Sequence, residues 1–180
     1  MSKIAENSFV NASNEAFSFV FKKLGTDAEK EAAGKVVYAE LQQSNALAGK
    51  TLYSNSEAEE IAFLSEVSEL YGVFESRNES RNESKNALEN KSKLIAVIAV
   101  EEDSIERIAV MKEQQYQGIG RAILYFAHEV LNAEYADVYA DNEPALRFFE
   151  HCGLSMFDET EPEAGDLMAE SPHKVIHLMY

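Results

Sequence analysis

The sequence has one cysteine, no tryptophan and only three prolines among its 180 residues. Because Cys152 stands alone, neither an intramolecular disulfide nor a metal site built from several thiolates can form, which favours a reducing compartment. Apolar runs such as residues 94–100 are far shorter than the roughly 20 residues that a membrane-spanning helix needs. The N-terminal residues lack the unbroken apolar stretch of a signal peptide. We therefore expect a cytoplasmic protein that does not span a membrane.

Basic residues are also scarce, since 16 Lys and Arg stand against 32 Asp and Glu, for a formal net charge of −16. A surface of this sign repels phosphate backbones and anionic lipid, so neither nucleic acid nor a membrane is expected as a partner. The charge suits a cationic acceptor such as a polyamine or an aminoglycoside, although solubility explains it equally well. With 46% apolar residues, the chain can bury the core of a single domain over 1–180.

Two capping boxes predict the first two helices. Thr26 precedes Glu29 by three residues, and the apolar spacing that follows extends this helix to about Gln43. Ser56 and Glu59 open a second helix in the same way. In each box, the Ser or Thr side chain and the Glu side chain satisfy backbone N–H groups at the helix start. Two helices are therefore expected ahead of the main sheet.

Strand signals recur along the chain and predict a central sheet. They cover residues 16–24, 71–75, 94–101, 105–111, 135–140, 154–158 and 174–180. The run 94–101 is almost entirely apolar, as in a central strand covered on both faces, and the turn residues after it predict a hairpin. Two further helices are expected after Gly120 and Asn142. Residues 76–92, which contain RNES twice in tandem, are expected to form a low-complexity loop.

Residues 111–122, MKEQQYQGIGRA, join a predicted strand to a predicted helix through two glycines. Glycines let backbone N–H groups point at a ligand, and the helix N-terminus behind them carries about half a positive charge, so this loop can hold a pyrophosphate. A Rossmann fingerprint would need Gly or Ala where Ile123 stands, and a Walker A loop would need Gly-Lys-Ser/Thr. Neither standard nucleotide-binding loop fits.

The loop resembles the acyl-CoA loop of the GNAT superfamily of acetyl-CoA-dependent N-acetyltransferases. Its residues Val110, Gln115, Gly118 and Gly120 fall in register with that pattern. Residues 142–154, NEPALRFFEHCGL, resemble the second signature of the family, and two signatures in this order are far more specific than either alone. The resemblance implies an α/β (α+β) fold with a mixed, mostly antiparallel sheet of six to seven strands flanked by about four helices.

The resemblance further implies that the chain uses acetyl-CoA as a co-substrate and no metal. Main-chain groups of Ile108, Ala109 and Val110 would pair with the pantetheine arm like an added strand. Asn142 would lie near the thiol as well as capping a helix, and Phe149 would lie in the same site. The pyrophosphate would be held by backbone N–H groups of Gln115, Tyr116, Gln117, Gly118, Ile119, Gly120 and Arg121.

The implied reaction is direct attack of a neutral amine on the thioester, with a backbone N–H of the strand at 105–111 holding the oxyanion. Glu106 in this strand is our candidate base, taking the proton of an ammonium acceptor through water. An ordinary solvent-facing role for Glu106 is equally compatible with the sequence. The competing carboxylates nearby are Glu101, Glu102 and Asp103.

The usual acid of the family is a tyrosine, but Phe149 occupies that position and cannot donate a proton. Either the thiolate leaves unaided or another nearby group replaces the tyrosine. The candidates are His151, Cys152, Tyr139 and Tyr116. The four histidines are scattered and are expected to have no close acidic partners, so no metal site is expected.

Three functions remain open from the sequence. The first is an N-acetyltransferase acting on the amine of a small-molecule or amino-acid-like acceptor. The second is a catalytically silent CoA-binding regulatory or interaction module, which Phe149 favours. The third is an interaction protein that recruits a basic partner through its acidic surface and the 76–92 loop. By analogy with the family, a homodimer is compatible with any of them.

Overall fold

The structure is a computed structural model that describes residues 5–10, 16–76, 93–161 and 173–180. In this described part of the chain, eight strands form one sheet: β1 (Ala5–Val10), β2 (Ala16–Lys23), β3 (Glu69–Ser76), β4 (Leu94–Glu101), β5 (Ser104–Val110), β6 (Tyr135–Tyr139), β7 (Ser155–Thr160) and β8 (Val175–Met179). The helices are α1 (Asp27–Ala48), α2 (Glu57–Glu66), α3 (Ile119–Leu131) and α4 (Glu143–His151), with a 3-10 turn at Lys112–Gln114. Within these ranges, no helix has the length and apolarity to cross a membrane.

The strands lie in the order β1-β2-β3-β4-β5-β6-β8-β7, and every neighbouring pair is antiparallel except β5 and β6. The parallel pair is short, because it joins only Ser104 to Tyr135 and Ile105 to Ala136. Beyond Ile105 the two strands separate. Among the described residues, one edge of β5 from Glu106 onwards therefore has no strand partner.

The sheet is covered on both faces, which explains why β4 is buried from Ile95 to Val100. One face packs against α1 and α2 through a cluster that includes Val37, Leu64 and Val97. The other face packs against α3 and α4 through a larger cluster that includes Ile98, Ile123 and Phe149. The sequence prediction of a central, doubly covered strand is confirmed. The layers place α1 and α4 on opposite sides of the gap between β5 and β6.

The predicted fold class is confirmed, with one strand more than the expected six to seven. The extra strand is β1, whose sequence AENSFV is too polar to predict a strand and which pairs with β2 over its whole length. Helix α1 also ends at Ala48 and not near Gln43. Asn45 does not interrupt the helix, because its side chain bonds to the backbone of residues 52 and 53 instead. Apart from Ser76, the predicted 76–92 loop lies outside the described residues.

Both predicted capping boxes are present. The Thr26 hydroxyl accepts a hydrogen bond from the Glu29 N–H at 3.3 Å, and the Glu29 carboxylate accepts one from the Thr26 N–H at 3.0 Å. Ser56 and Glu59 repeat the arrangement at the start of α2. The pKa of Glu29 is lowered to about 2, chiefly by the hydrogen bond from the Lys22 ammonium and then by the backbone N–H bonds that the Glu29 carboxylate accepts. These local bonds fix where the two helices begin, as the sequence predicted.

Gly34 lies where α1 crosses α2, and it has no space for a side chain. An ideal Cβ at this position would lie 2.3 Å from Cγ1 and 3.0 Å from Cα of Ile61. We expect Gly34→Ala to lower the free energy of unfolding by about 1–3 kcal/mol despite the higher helix propensity of alanine. Urea unfolding measures this loss. In an Ile61→Ala background the loss should shrink, and a Gly34→Ala protein as stable as the wild type would refute the close packing.

Candidate functional site

A cleft of about 660 Å³ opens where β5 and β6 separate. Its walls are α1, the α1–α2 loop, the free edge of β5, part of β6, the loop before α3 with the first turn of that helix, and one side of α4. The predicted site residues that line it are Glu106, Ile108, Ala109, Val110, Gln115, Tyr116, Gly118, Gly120, Arg121, Asn142 and Phe149. The other two, Gln117 and Ile119, lie outside it. The Gln117 amide donates to the Glu113 carbonyl oxygen, and Ile119 is buried in the core.

The N-terminus of α3 faces this cleft without a side-chain cap. Gly118 is the N-cap with φ of 85°, a left-handed conformation that favours glycine. The first intrahelical bond runs from the Ala122 N–H to the Gly118 carbonyl oxygen at 3.1 Å. The N–H groups of Ile119, Gly120 and Arg121 precede it and have no intrahelical acceptor, as in any first turn. This end of α3 can therefore donate hydrogen bonds to an anion.

Gly120 is required for a different reason than Gly118, because it lets α3 approach α4. A Cβ at position 120 would lie 2.9 Å from Cε2 of Phe148. At Gly118 the space is open and only the backbone conformation is demanding. The two glycines thus serve a turn and a helix contact, and together they leave two positions at the start of α3 without a side chain.

Gln115 anchors the loop to the end of β5 and to α1. Its amide nitrogen donates to the Val110 carbonyl oxygen at 3.0 Å and to the Glu40 carboxylate at 2.7 Å. Its backbone N–H donates to the Lys112 carbonyl oxygen at 3.4 Å, so it is already engaged, unlike the N–H groups at the start of α3. Burial raises the pKa of Glu40 in this position. The glutamine side chain therefore holds the loop against the end of β5 and against α1.

Glu106 occupies a β-bulge in β5. Ala99 lies opposite Arg107 and Val100 lies opposite Ile105, which leaves Glu106 with no residue directly opposite it on β4. The side chain is half-buried, and its carboxylate has no hydrogen-bond or ion-pair partner in the part of the chain that the structure describes. It lines the cleft, whereas the three competing acids, Glu101, Glu102 and Asp103, do not. A bulge next to a site often redirects a side chain into it.

Next to this bulge lies an ion pair that sequence analysis missed. The Arg107 Nε donates to Glu60 Oε2 at 3.1 Å and its Nη2 donates to Oε1 at 3.3 Å, while Glu60 is fully buried. Asn55 donates to the same carboxylate at 2.7 Å, and the guanidinium lies 4.4 Å from the centre of the Phe63 ring. The Arg107 Nη1 donates to the Glu106 carbonyl oxygen at 2.7 Å. One side chain thus joins α2 to the bulge.

A second pair that sequence analysis missed joins Asn142 to Tyr53. The Asn142 Oδ1 accepts a hydrogen bond from the Ala145 N–H at 3.4 Å, which caps α4 as predicted, and its Nδ2 donates to the Tyr53 hydroxyl at 3.2 Å. Asn45 fixes the backbone of Tyr53 by bonds of 2.9 Å to its N–H and 2.8 Å to its carbonyl oxygen. Burial raises the pKa of Tyr53. Because Tyr53 lies in a loop, no periodic pattern could have indicated it.

Of the four groups proposed to replace a tyrosine at position 149, three line the cleft and one does not. Phe149 is only 5% exposed and lines the cleft with its ring. His151, Cys152 and Tyr116 also line the cleft, and burial raises the pKa of the Cys152 thiol. Tyr139 lies outside the cleft lining, with its ring centre 5.2 Å from that of Tyr53. The cleft therefore contains several proton donors but no hydroxyl at position 149.

Two histidines have the acidic partners that the sequence did not indicate. The His173 Nδ1 lies 3.3 Å from Asp141 Oδ2, and the His177 Nδ1 lies 2.7 Å from Asp137 Oδ1. The expectation of no close acidic partner was wrong because both contacts join residues that are distant in the sequence. Within the described ranges, no three His, Cys, Asp or Glu side chains gather into a cluster that could hold a metal ion.

The fold has counterparts among known proteins. The model of the acetyltransferase (GNAT) family matches residues 50–154, which is more than half of the chain. A search of curated protein sequences found no match. Solved structures with a similar fold do match the chain.

Three of these structures have low sequence identity to the chain. Apo-form YjaB from Escherichia coli is 14% identical with a TM-score of 0.60, over 99% of this chain and 97% of that one. Spermidine N-acetyltransferase from Vibrio cholerae, in complex with CoA and spermine, is 15% identical with a TM-score of 0.56, over 90% and 94%. The ribosomal-protein-S18-alanine N-acetyltransferase of Escherichia coli is 18% identical with a TM-score of 0.56, over 89% and 91%. The chain belongs to the acetyltransferase (GNAT) family and is an acyltransferase.

Proposed function

We propose that the protein transfers the acetyl group of acetyl-CoA to the amine of a small-molecule or amino-acid-like acceptor. One observation carries this proposal: the carboxylate of Glu106, which has no partner among the described residues, lies on a free strand edge in the same cleft as the uncapped N-terminus of α3. Such a cleft offers an anion site and a base at once. Two of the similar solved structures are named for acetylation of amines, one on spermidine and one on an alanine of a ribosomal protein.

The residues of the cleft fit acetyl-CoA by their donors and by the space that they leave. The N–H groups of Ile119, Gly120 and Arg121 would hold the pyrophosphate, because no side chain caps this helix. The free edge of β5, from Ile108 to Val110, would bond to the amides of the pantetheine arm as a neighbouring strand would. When bound, acetyl-CoA supplies the activated acetyl group.

Glu106 would act as the base for the acceptor. It would take the proton of the ammonium group through water, which frees the amine lone pair to attack the thioester carbon. A backbone N–H of β5 would hold the oxyanion that develops. Glu40, on the opposite wall, adds a second carboxylate that would attract a cationic acceptor while it is ionised. This arrangement favours amines over neutral or anionic acceptors.

A catalytically silent CoA-binding module is the second candidate. The buried phenyl ring of Phe149 favours it, because this position has no hydroxyl to protonate a leaving group. This candidate predicts acetyl-CoA binding without acetyl transfer to any amine of a broad panel. Time-resolved release of free thiol, measured with acetyl-CoA and each amine in turn, separates the two functions.

Charge reversal at Arg121 tests the cofactor site directly. Arg121 is exposed at the start of α3 and lines the cleft, so Arg121→Glu places a carboxylate beside the proposed pyrophosphate position. We expect the Kd of acetyl-CoA, measured by isothermal titration, to rise about 10- to 100-fold.

Arg147→Glu is the matched control for this titration. It makes the same charge change on the exposed face of α4, where Arg147 pairs with Glu143 at 3.2 Å, outside the cleft lining. We expect its Kd to match the wild type. Equal Kd values for the wild type and Arg121→Glu would place the pyrophosphate elsewhere, and no binding by the wild type would refute the acetyltransferase proposal.

A further inference from the structure

We propose that the hydroxyl group of Tyr53 donates the proton that the departing CoA sulfur takes up, an inference that rests on the proposed function. With the pyrophosphate at the N-terminus of α3, the pantetheine arm runs back along β5 from Val110 towards Glu106. The cleft closes there, because β5 and β6 pair at Ile105. The thiol end of the cofactor therefore reaches the Glu106 end of the cleft.

Tyr53 lies at this same end. It lines the cleft and interacts electrostatically with both Arg107 and Glu60, the ion pair next to Glu106. Its hydroxyl is 3.2 Å from the Nδ2 of Asn142, the residue that begins α4. By contrast, Cys152 interacts electrostatically with Arg121, at the pyrophosphate end, and His151 is its neighbour in the chain. Tyr116, the other candidate acid in the lining, lies in the loop before α3, so Tyr53 is the candidate acid placed at the thiol end.

The hydrogen bonds of Tyr53 leave its proton available. Asn142 Nδ2 is a donor, so the phenol oxygen accepts this bond and its own O–H remains free to donate. Within the described ranges, no acceptor takes this proton. Burial raises the pKa of the phenol, so it remains protonated at neutral pH.

The position of Tyr53 is also fixed before any ligand binds. Asn45 bonds to its N–H and to its carbonyl oxygen, and the ring packs on Tyr139 with 5.2 Å between the ring centres. A loop residue held by its backbone and by its ring loses little further freedom when it meets a ligand. This preorganisation is what an acid positioned for one atom requires.

The proposed step is a proton transfer that accompanies cleavage of the carbon–sulfur bond. The carbon–sulfur bond breaks, the sulfur keeps the bonding pair, and the proton moves from the Tyr53 oxygen to the sulfur to give the CoA thiol. The proton that Glu106 takes from the ammonium acceptor leaves to solvent. The attacking nitrogen loses a second proton to water as the amide forms, and the phenolate regains a proton from water, so one proton is released overall. Phe149 then needs no hydroxyl, because the proton comes from the α1–α2 loop instead.

The ionisation of bound CoA tests this assignment without any acceptor. The probe is CoA labelled with ¹³C at the carbon next to sulfur, whose NMR shift follows the thiol as pH rises. A phenol that donates to the thiolate lowers the thiol pKa, so we expect Tyr53→Phe to raise the pKa of bound CoA by about one unit. Tyr53→Phe keeps the ring contact, and the bonds from Asn45 involve only the backbone of residue 53, so the fold should persist.

Two more variants complete the experiment. Tyr135→Phe, on β6 but outside the cleft lining, controls for the loss of a hydroxyl and should leave the thiol pKa unchanged. Tyr139→Phe tests the neighbouring ring. An equal thiol pKa in the wild type and Tyr53→Phe, or a rise in Tyr139→Phe alone, would overturn the assignment to Tyr53 while leaving the proposed function intact. Failure of the wild type to bind CoA would instead overturn the proposed function as well.

Discussion

Replacing Glu106 with glutamine should lower kcat/KM for amine acetylation by about 10²- to 10⁴-fold near neutral pH, with the Kd of acetyl-CoA unchanged. The amide has nearly the shape of the carboxylate but cannot accept the ammonium proton. Because the Glu106 carboxylate lacks a partner among the described residues, its replacement should cost little stability. Initial rates with spermidine and with an alanine-terminated peptide, two acceptor types suggested by the similar structures, measure the loss.

The pH dependence separates a base from a group that merely attracts the acceptor. As pH rises towards the pKa of the acceptor, free amine becomes available without a base, so the loss in Glu106→Gln should shrink. Glu129→Gln, an exposed change on α3, removes the same charge outside the cleft and should match the wild type. A Glu106→Gln protein with wild-type rates would exclude Glu106 as the base. A loss that stays constant with pH would indicate binding of the acceptor instead.

Replacing Arg107 with methionine should lower the free energy of unfolding by about 3–5 kcal/mol. The change would leave the fully buried Glu60 carboxylate with Asn55 as its remaining hydrogen-bond donor. A buried charge without its partner is far more costly than the pair itself is stabilising, since desolvation is no longer offset. Urea unfolding monitored by circular dichroism gives the free energy of each variant.

The double variant Glu60→Met/Arg107→Met is the matched control, because it removes the Glu60 carboxylate together with its partner. With both charges removed, the stability should return to within about 1 kcal/mol of the wild type or exceed it, as for other buried pairs replaced by apolar residues. If the double variant is as unstable as Arg107→Met alone, then the loss comes from packing against Phe63 and not from the unpaired carboxylate. Double-mutant analysis thus assigns the energy to the pair or to the ring contact.

Local signals in the sequence were sufficient for most of the fold. A capping box involves residues three apart, and the glycines at 118 and 120 lie between one strand and one helix, so neighbouring residues specify these features. β1 is different, because its polar sequence becomes a strand only by pairing with β2. Long-range pairing of this kind leaves no periodic pattern in the segment that is paired.

The site was less predictable than the fold, because two of its features depend on register. The bulge at Glu106 breaks the alternation of β5, so Ile105 packs in the cluster beneath α3 and α4 whereas Arg107, two residues later, contacts α2. Tyr53 enters the cleft because Asn45, eight residues earlier, holds its backbone. Both features arise from contacts between elements, whereas Phe149 and Asn142 could be located by their place in a signature.

The separation of β5 from β6 affects how the sheet meets other molecules. Unpaired strand edges invite association with other chains, and proteins usually protect them at the outer limits of a sheet. Here the free edge that begins at Glu106 lies in the interior of the sheet, between β6 on one side and α1 and α4 above and below. A second protein strand cannot reach it from the side, but a slender ligand carrying amide groups can enter along the cleft. The sheet thereby offers main-chain hydrogen bonds to such a ligand with little risk of aggregation at this edge.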